Sequence, residues 1–283
     1  MISSAPIRRL IVNADDFGLT AGVNRAIQEL ADTGAISSAT LMAGGEAFDD
    51  AAVRTGIAIG CHVVLVDGMC SADPAAVSSL LATGYNFRQS LLGFILALQC
   101  GRISEAHIEA EATAQIKRLQ AAGVTVTHVD SHKHTHLFPR VSRPLMRAAI
   151  SCGVPAIRNP FEETWSAKLA RGPLLRKLEF LLLRTFRATF LMLLRASGLK
   201  TTDGSIGISA TGSLGAESLA DLLKAIPPGT WELVCHPGYN DSDLARVRTR
   251  LRDTRVVERC ALLEQIPGAV RGGHIELISF GDL

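Results

Sequence analysis

Residues 128–136 read HVDSHKHTH, which places His128, Asp130, His132, His134 and His136 at alternate positions and uses four of the chain's eight histidines in nine residues. Imidazole and carboxylate are the side chains that ligate divalent metals and move protons near neutral pH. On an extended strand alternate residues face one side, with adjacent members about 6.5–7 Å apart. One or two of the five can therefore bind an ion while the rest orient ligands or substrate. A strand that ends inside the run would scatter the later histidines.

Asp15 and Asp16 in ADDFG follow the apolar run LIVNA. Adjacent carboxylates at a strand end point in different directions, so one can hold a metal while the other takes a proton from water. A helix cap or turn is the bland alternative for such a pair. His62 interrupts the apolar run IAIGCHVVL, as a ligand or as a hydrogen-bonded core histidine. His236 ends ELVCHPGY before a Pro-Gly turn, and Arg158 ends VPAIRNP. The arginine could steer a carbonyl or carboxylate, or pair with an acid on the rim.

The elements that must position these residues alternate in type. Short apolar runs (RLIVNA, IAIGCHVVL, VTVTHVDSH, VPAIRNP, WELVCHPG, HIELISF) are separated by helix-like stretches. The latter are GVNRAIQELADTG, ISEAHIEAEATAQIKRLQAAG, RVSRPLMRAAISCG, AESLADLLKAIPPG and DLARVRTRLRDTRVVERCALLEQI. Gly123 and Gly153 are good helix stops. Buried strands alternating with helices predict a parallel sheet, and the number of units predicts a distorted (β/α) TIM-like barrel. Most of the candidate groups sit where apolar runs end, the face on which such barrels build active sites.

With 283 residues, 47% hydrophobic and 20% charged, the chain has globular composition and reads as one domain over 1–283. A net charge of +2 and the lack of a basic-aromatic platform exclude a nucleic-acid partner. The six cysteines include no CxxC pair and read as reduced thiols of a cytoplasmic protein. No signal peptide is expected at the N-terminus, and no apolar run reaches the ~18 residues of a membrane span.

In their order, LIVNADDFGLTAGVNRAI (10–27), SSATLMAGGEAFDDA (37–51), IAIGCHVVL (57–65), THVDSHKHTHLFP (127–139), VPAIRNP (154–160) and ELVCHPGY (232–239) resemble the YdjC-like carbohydrate deacetylases. The resemblance implies a divalent-metal hydrolase, Zn²⁺ and Mg²⁺ both open, that removes acetyl from N-acetylated amino sugars. It implies Asp16, His62 and His132 as metal ligands, Asp15 as base and His236 as acid. Arg158, His134 and His136 are implied on the substrate side. The rivals are another metal hydrolase, acting on cyclic amides or phosphate esters, and a lipid-binding accessory protein with a vestigial site.

Residues 161–200 depart from the shorter sugar deacetylases as a leucine-rich, basic helical insertion. Arg176, Lys177, Glu179, Arg184, Arg187 and Arg195 fall in an arc of about 160° at about 100° per residue. Leu174, Leu178, Leu181, Leu182, Phe186, Met192 and Leu193 lie opposite. A buried barrel helix is one reading of 174–195, and peripheral contact with the inner membrane is the other. With AIRNPFEETW, the insertion resembles the hopanoid-biosynthesis-associated branch, which implies an N-acetylglucosaminyl hopanoid, a glycolipid, as substrate. Oligomeric state is left open, a homodimer included.

Overall fold

The computed structural model describes residues 7–54, 56–169 and 184–283. Ten strands occur in chain order: β1 (Arg8–Phe17), β2 (Ser38–Leu41), β3 (Ala58–Val63), β4 (Leu81–Thr83), β5 (Asn86–Phe87), β6 (Val126–Ser131), β7 (Ala156–Ile157), β8 (Gly204–Ile206), β9 (Gly229–Cys235) and β10 (Glu276–Leu277). Eight form one parallel sheet in the order β7-β6-β3-β2-β1-β9-β8, with β10 alongside the start of β1. β4 and β5 make a separate antiparallel hairpin. Isolated parallel bridges, Ala156 to Lys200 and Glu162 to Ser205, join the two ends of the curled sheet. The fold is thus the distorted (β/α) barrel expected from the alternation of elements.

Each strand sorts its side chains by parity. On β1, Leu10, Val12 and Ala14 pack outward in the main core with the helices. Ile11, Asn13 and Asp15 point to the interior, which is filled in layers. Ile11, Ala156 and Phe280 form an apolar floor. Above it the His128 ring stacks on Phe280 at 3.8 Å and meets Asn13 Oδ1 at 3.1 Å. Gly60 makes room for that ring, since a Cβ there would lie 2.5 Å from His128 Cε1. The charged groups occupy the next layer, at the carboxyl ends of the strands. His128, the first member of the histidine run, therefore belongs to the packing below the site.

The outer helices follow the apolar spacing. Ala21–Asp32 buries Val23, Ala26, Ile27 and Leu30 and is capped by Thr20, whose hydroxyl accepts from Val23 N at 3.2 Å. Such a cap contributes about 1 kcal/mol. Glu105–Ala121 packs against Pro139–Ser151, and Ala216–Ala225 matches its expected stretch.

Three features differ from expectation. β2 and β8 are too short to read from periodicity. An additional helix, Leu91–Gln99, is capped by Ser90. The last long helical stretch is broken into Ser242–Arg246 and Asp253–Arg271. The break follows from Val247, which turns extended, and from Thr249, whose hydroxyl accepts from Leu251 N at 3.0 Å and competes with helical bonding.

The expected membrane-facing segment 174–195 is described only from Arg184 onward; 174–183 lie outside the described residues. Helix Arg187–Ser197 buries Phe190 and Leu194 and packs on Pro139–Ser151, while Arg187 pairs with Glu163 at 2.8 Å. Among the described residues no helix is long and apolar enough to cross a membrane.

Candidate active site

The Asp-Asp pair sits where β1 departs from regular geometry. Its register with β2 shifts between Ala14 and Phe17, and Asp16 adopts φ 64°. In a regular strand neighbouring side chains face opposite sides. The irregularity turns Asp16 back so that both carboxylates line the same cavity. Asp and Asn tolerate this left-handed conformation better than other non-glycine residues.

Asp16 Oδ1 lies 3.5 Å from His62 Nε2 and 3.3 Å from His132 Nδ1, and the two ring nitrogens are 3.3 Å apart. Asp16 Oδ1 is buried and makes no hydrogen bond with a described residue. His62 Nδ1 faces Asp130 Oδ1 at 2.8 Å and Thr40 Oγ1 at 3.2 Å. Donation of the Nδ1 proton to Asp130 leaves the Nε2 lone pair directed at Asp16 and His132. An unpartnered carboxylate oxygen and two imidazole nitrogens converging on one point make the donor set of a divalent cation. Asp16, His62 and His132 are therefore brought together as a candidate metal site. The Asp15, His62 and Asp130 oxygens and nitrogens also cluster, but Arg158 already occupies that position as the cation.

Protons compete for this site. Burial pushes the His62 pKa down, but Asp130, Asp15 and Asp16 outweigh it and raise it from 6.5 to about 9. Being raised, it contributes stability that is complete below 6.5 and lost as pH rises through about 9. Metal uptake must displace that proton. Calorimetric titration in buffers of different ionisation enthalpy is expected to read about one proton released per ion near neutral pH. No proton release would contradict the assignment of His62. Asp130→Asn should weaken metal affinity by about 10–100-fold, since it removes the partner that orients His62. Competition against a chelating dye measures it.

Asp15 is 1% exposed. Its Oδ1 accepts from Asn13 Nδ2 at 2.9 Å, Thr40 Oγ1 at 3.2 Å and Arg158 Nη2 at 2.6 Å. Its Oδ2 accepts from Arg158 Nη1 at 2.9 Å and faces His236 Nε2 at 3.7 Å. Burial alone would raise the Asp15 pKa; Arg158 and the histidines hold it far below the usual carboxylate range. Arg158, placed on the substrate side by sequence, is 0% exposed and does not line the cavity. Its guanidinium is engaged by Asp15, Asp130 and, at 2.7 Å, Glu232, the acid-pairing alternative that the sequence left open. Burial, joined by Asp15 and Asp130 and opposed by Arg158, pushes Glu232 up to about 7.

β6 ends at Ser131, and His132–Leu137 form a tight turn with Lys133 at φ 56° and His134 at φ 51°. The Ser131 hydroxyl organises it, accepting from His136 N at 2.9 Å and Thr135 Oγ1 at 2.9 Å and meeting His136 Nδ1 at 2.6 Å. The turn separates the later histidines. His132 and His134 line the cavity, whereas His136 is fully buried and does not line it. Burial and the neighbouring Arg158 lower the His134 pKa to about 3, so it meets a ligand as neutral imidazole. His236 is fixed through its backbone N–H, which donates to Glu258 Oε2 at 2.6 Å.

Sequence reading missed Arg255, which is 1% exposed and donates to Asp16 Oδ2 at 2.5 Å. With burial opposing it, Arg255 is the largest influence holding Asp16 ionised, followed by His132 and His62. Asn13, a polar residue inside an apolar strand, was a visible hint of the polar interior around Asp15, as was Glu232.

These groups form one end of a cavity of about 820 Å³, within the range of small-ligand pockets. Leu19, Met42, Leu91, Leu137 and Phe161 give it an apolar wall, and Arg248, Arg250 and Arg252 of the broken-helix loop line its mouth.

Residues 9–266 match the family described as YdjC-like protein. A carbohydrate deacetylase of Thermoanaerobacter pseudethanolicus is 27% identical over 98% of this chain and 100% of its own length. One from Mus musculus is 33% identical over 83% of this chain and 79% of its own. The fold is shared with the crystal structure of EF3048 from Enterococcus faecalis V583, with TM-score 0.78, 21% identity and 98% of both chains covered. With the family's residues spanning the barrel and the candidate site alike, the chain belongs to the YdjC-like protein family.

Proposed function

We propose that the protein is a metal-dependent carbohydrate N-deacetylase whose substrate is an N-acetylglucosaminyl hopanoid, met at the cytoplasmic surface of the inner membrane. The observation that carries the hydrolase reading is the convergence of Asp16, His62 and His132 beside Asp15 and His236 at one end of a single cavity. A divalent cation bound there supplies Lewis acidity to the acetamide oxygen and acidifies water. Asp15 Oδ2, turned toward His236, accepts the proton that water loses as it adds to the acyl carbon. His236 in its protonated form donates to the nitrogen as the C–N bond breaks, so acetate and a free amine leave. Asp15, held far toward its ionised form by Arg158, keeps its new proton only in passing and returns it to His236. His134 and the apolar wall orient the sugar and its aglycone.

The lipid-linked acceptor is supported by the leucine-rich insertion and by the apolar wall of the cavity. Assay of acetate release from N-acetylglucosaminyl hopanoid and from N-acetylglucosamine oligomers, beside phosphate esters and cyclic amides, tests the whole reading. Acetate from the glycolipid in preference to the oligomers is expected. Turnover only of phosphate esters or cyclic amides would replace it with another metal hydrolase, and binding without release would leave an accessory role.

A further inference from the structure

Residues 89–101, QSLLGFILALQCG, carry no charge, and while Phe94, Ala97 and Leu98 are buried, the segment presents other residues to solvent beside the cavity. Gln89 and Leu91 line its mouth. In the helix that follows, Leu92 is 66% and Leu96 57% exposed, four residues apart on one face. Met69 and Tyr85 are exposed on the ladder that precedes this helix in the chain, where Cys70 N donates to Tyr85 O at 2.9 Å. Four of the ten exposed large apolar side chains among the described residues thus fall between 69 and 96. Scattered single leucines need no explanation, whereas a pair on one face of an uncharged helix beside a cavity does.

The loop opposite is basic. Arg248 Nη1 donates to Gln89 Oε1 at 2.8 Å, tying the arginine loop to the start of the apolar helix. Arg248 and Arg250 are exposed, and neither forms an ion pair with a described residue; Arg252 bonds only the carbonyl of Val247 at 3.3 Å. Three arginines without carboxylate partners among the described residues, next to uncharged, exposed leucines, match the two layers of a bilayer surface, anionic headgroups over acyl chains.

We infer that the cavity mouth docks on an anionic phospholipid surface, with Leu92 and Leu96 inserted and Arg248 and Arg250 on the headgroups. The inference deepens the glycolipid reading by naming the surface on which that substrate is met. It is read by vesicle binding without turnover, so either can fail alone.

The test is sedimentation of the metal-loaded full chain with phosphatidylcholine vesicles containing about one-third phosphatidylglycerol, and with pure phosphatidylcholine vesicles. Binding to the anionic vesicles alone, weakened by salt, is expected. Leu92→Gln with Leu96→Gln should lower the partition coefficient about tenfold, with hydrolysis of water-soluble N-acetylglucosamine oligomers unchanged. Arg248→Gln with Arg250→Gln should lower it about 30-fold. Absence of binding by the native chain would overturn the inference. So would native-like binding by the leucine variant, which would put the contact elsewhere, or a shift of its oligomeric state in gel filtration, which would make this face a contact between copies.

Discussion

Replacing Asp15 with Asn is expected to lower turnover by about 10²–10⁴-fold while leaving the metal content at that of the native protein. The substitution keeps the size of the side chain and can keep the bonds from Asn13 and Thr40, but it removes the proton acceptor facing His236. Asp15 is not a member of the Asp16, His62, His132 set, so the ion has no reason to leave. Acetate release measured beside elemental analysis separates the two effects. Near-native turnover would remove Asp15 from the chemistry, and lost metal would move it into the ligand set.

Arg158→Met should destabilise the fold by about 3–5 kcal/mol, the cost of leaving buried charge without its partner. Three fully buried carboxylates, Asp15, Asp130 and Glu232, converge on this one guanidinium. The pH dependence follows from Glu232, which burial pushes up to about 7 even with Arg158 opposing it. Without Arg158 that carboxyl stays above its unfolded pKa with the opposing charge gone, so the folded state holds more protons there than the unfolded one. The deficit is then smallest at acid pH and grows as pH rises. Urea melts at several pH values read it from the midpoint. Adding Glu232→Gln to the variant should recover part of the loss, because Glu232, already pushed to about 7, is the carboxylate nearest to neutrality. A variant as stable as the native chain would show that the cluster is not held by Arg158.

Much of this arrangement was legible in the chain because it depends on local chemistry. Asp15 and Asp16 end a buried strand, His62 lies within one, and strand ends meet on one face of a parallel barrel. Parity along β6 also placed Asp130 with His128 on the interior side. Parity fails after Ser131, where a serine hydroxyl shared by Thr135 and His136 bends the chain through two left-handed residues. No periodicity announces that turn; the sequence allowed only that a strand ending inside the run would scatter the later histidines, as it does here. The partners of Arg158 were hidden for another reason. The residues that neutralise it stand on three other strands, and one of them, Glu232, is an acid in an apolar run whose purpose appears only when the strands are adjacent. Arg255 pairs with Asp16 across 239 positions of sequence, beyond any spacing rule. The arginine loop at the cavity mouth was hidden because its residues are good helix formers, and the break depends on Val247 and Thr249.

Anomalous scattering from crystals of the native chain grown with Zn²⁺ or Mn²⁺ addresses the centre of this account directly. One peak per chain is predicted, bonded to Asp16, His62 and His132 with Asp15 outside its reach, and absent from an Asp16→Ala protein that still folds. A peak on other side chains, or one that survives the loss of Asp16, would contradict it.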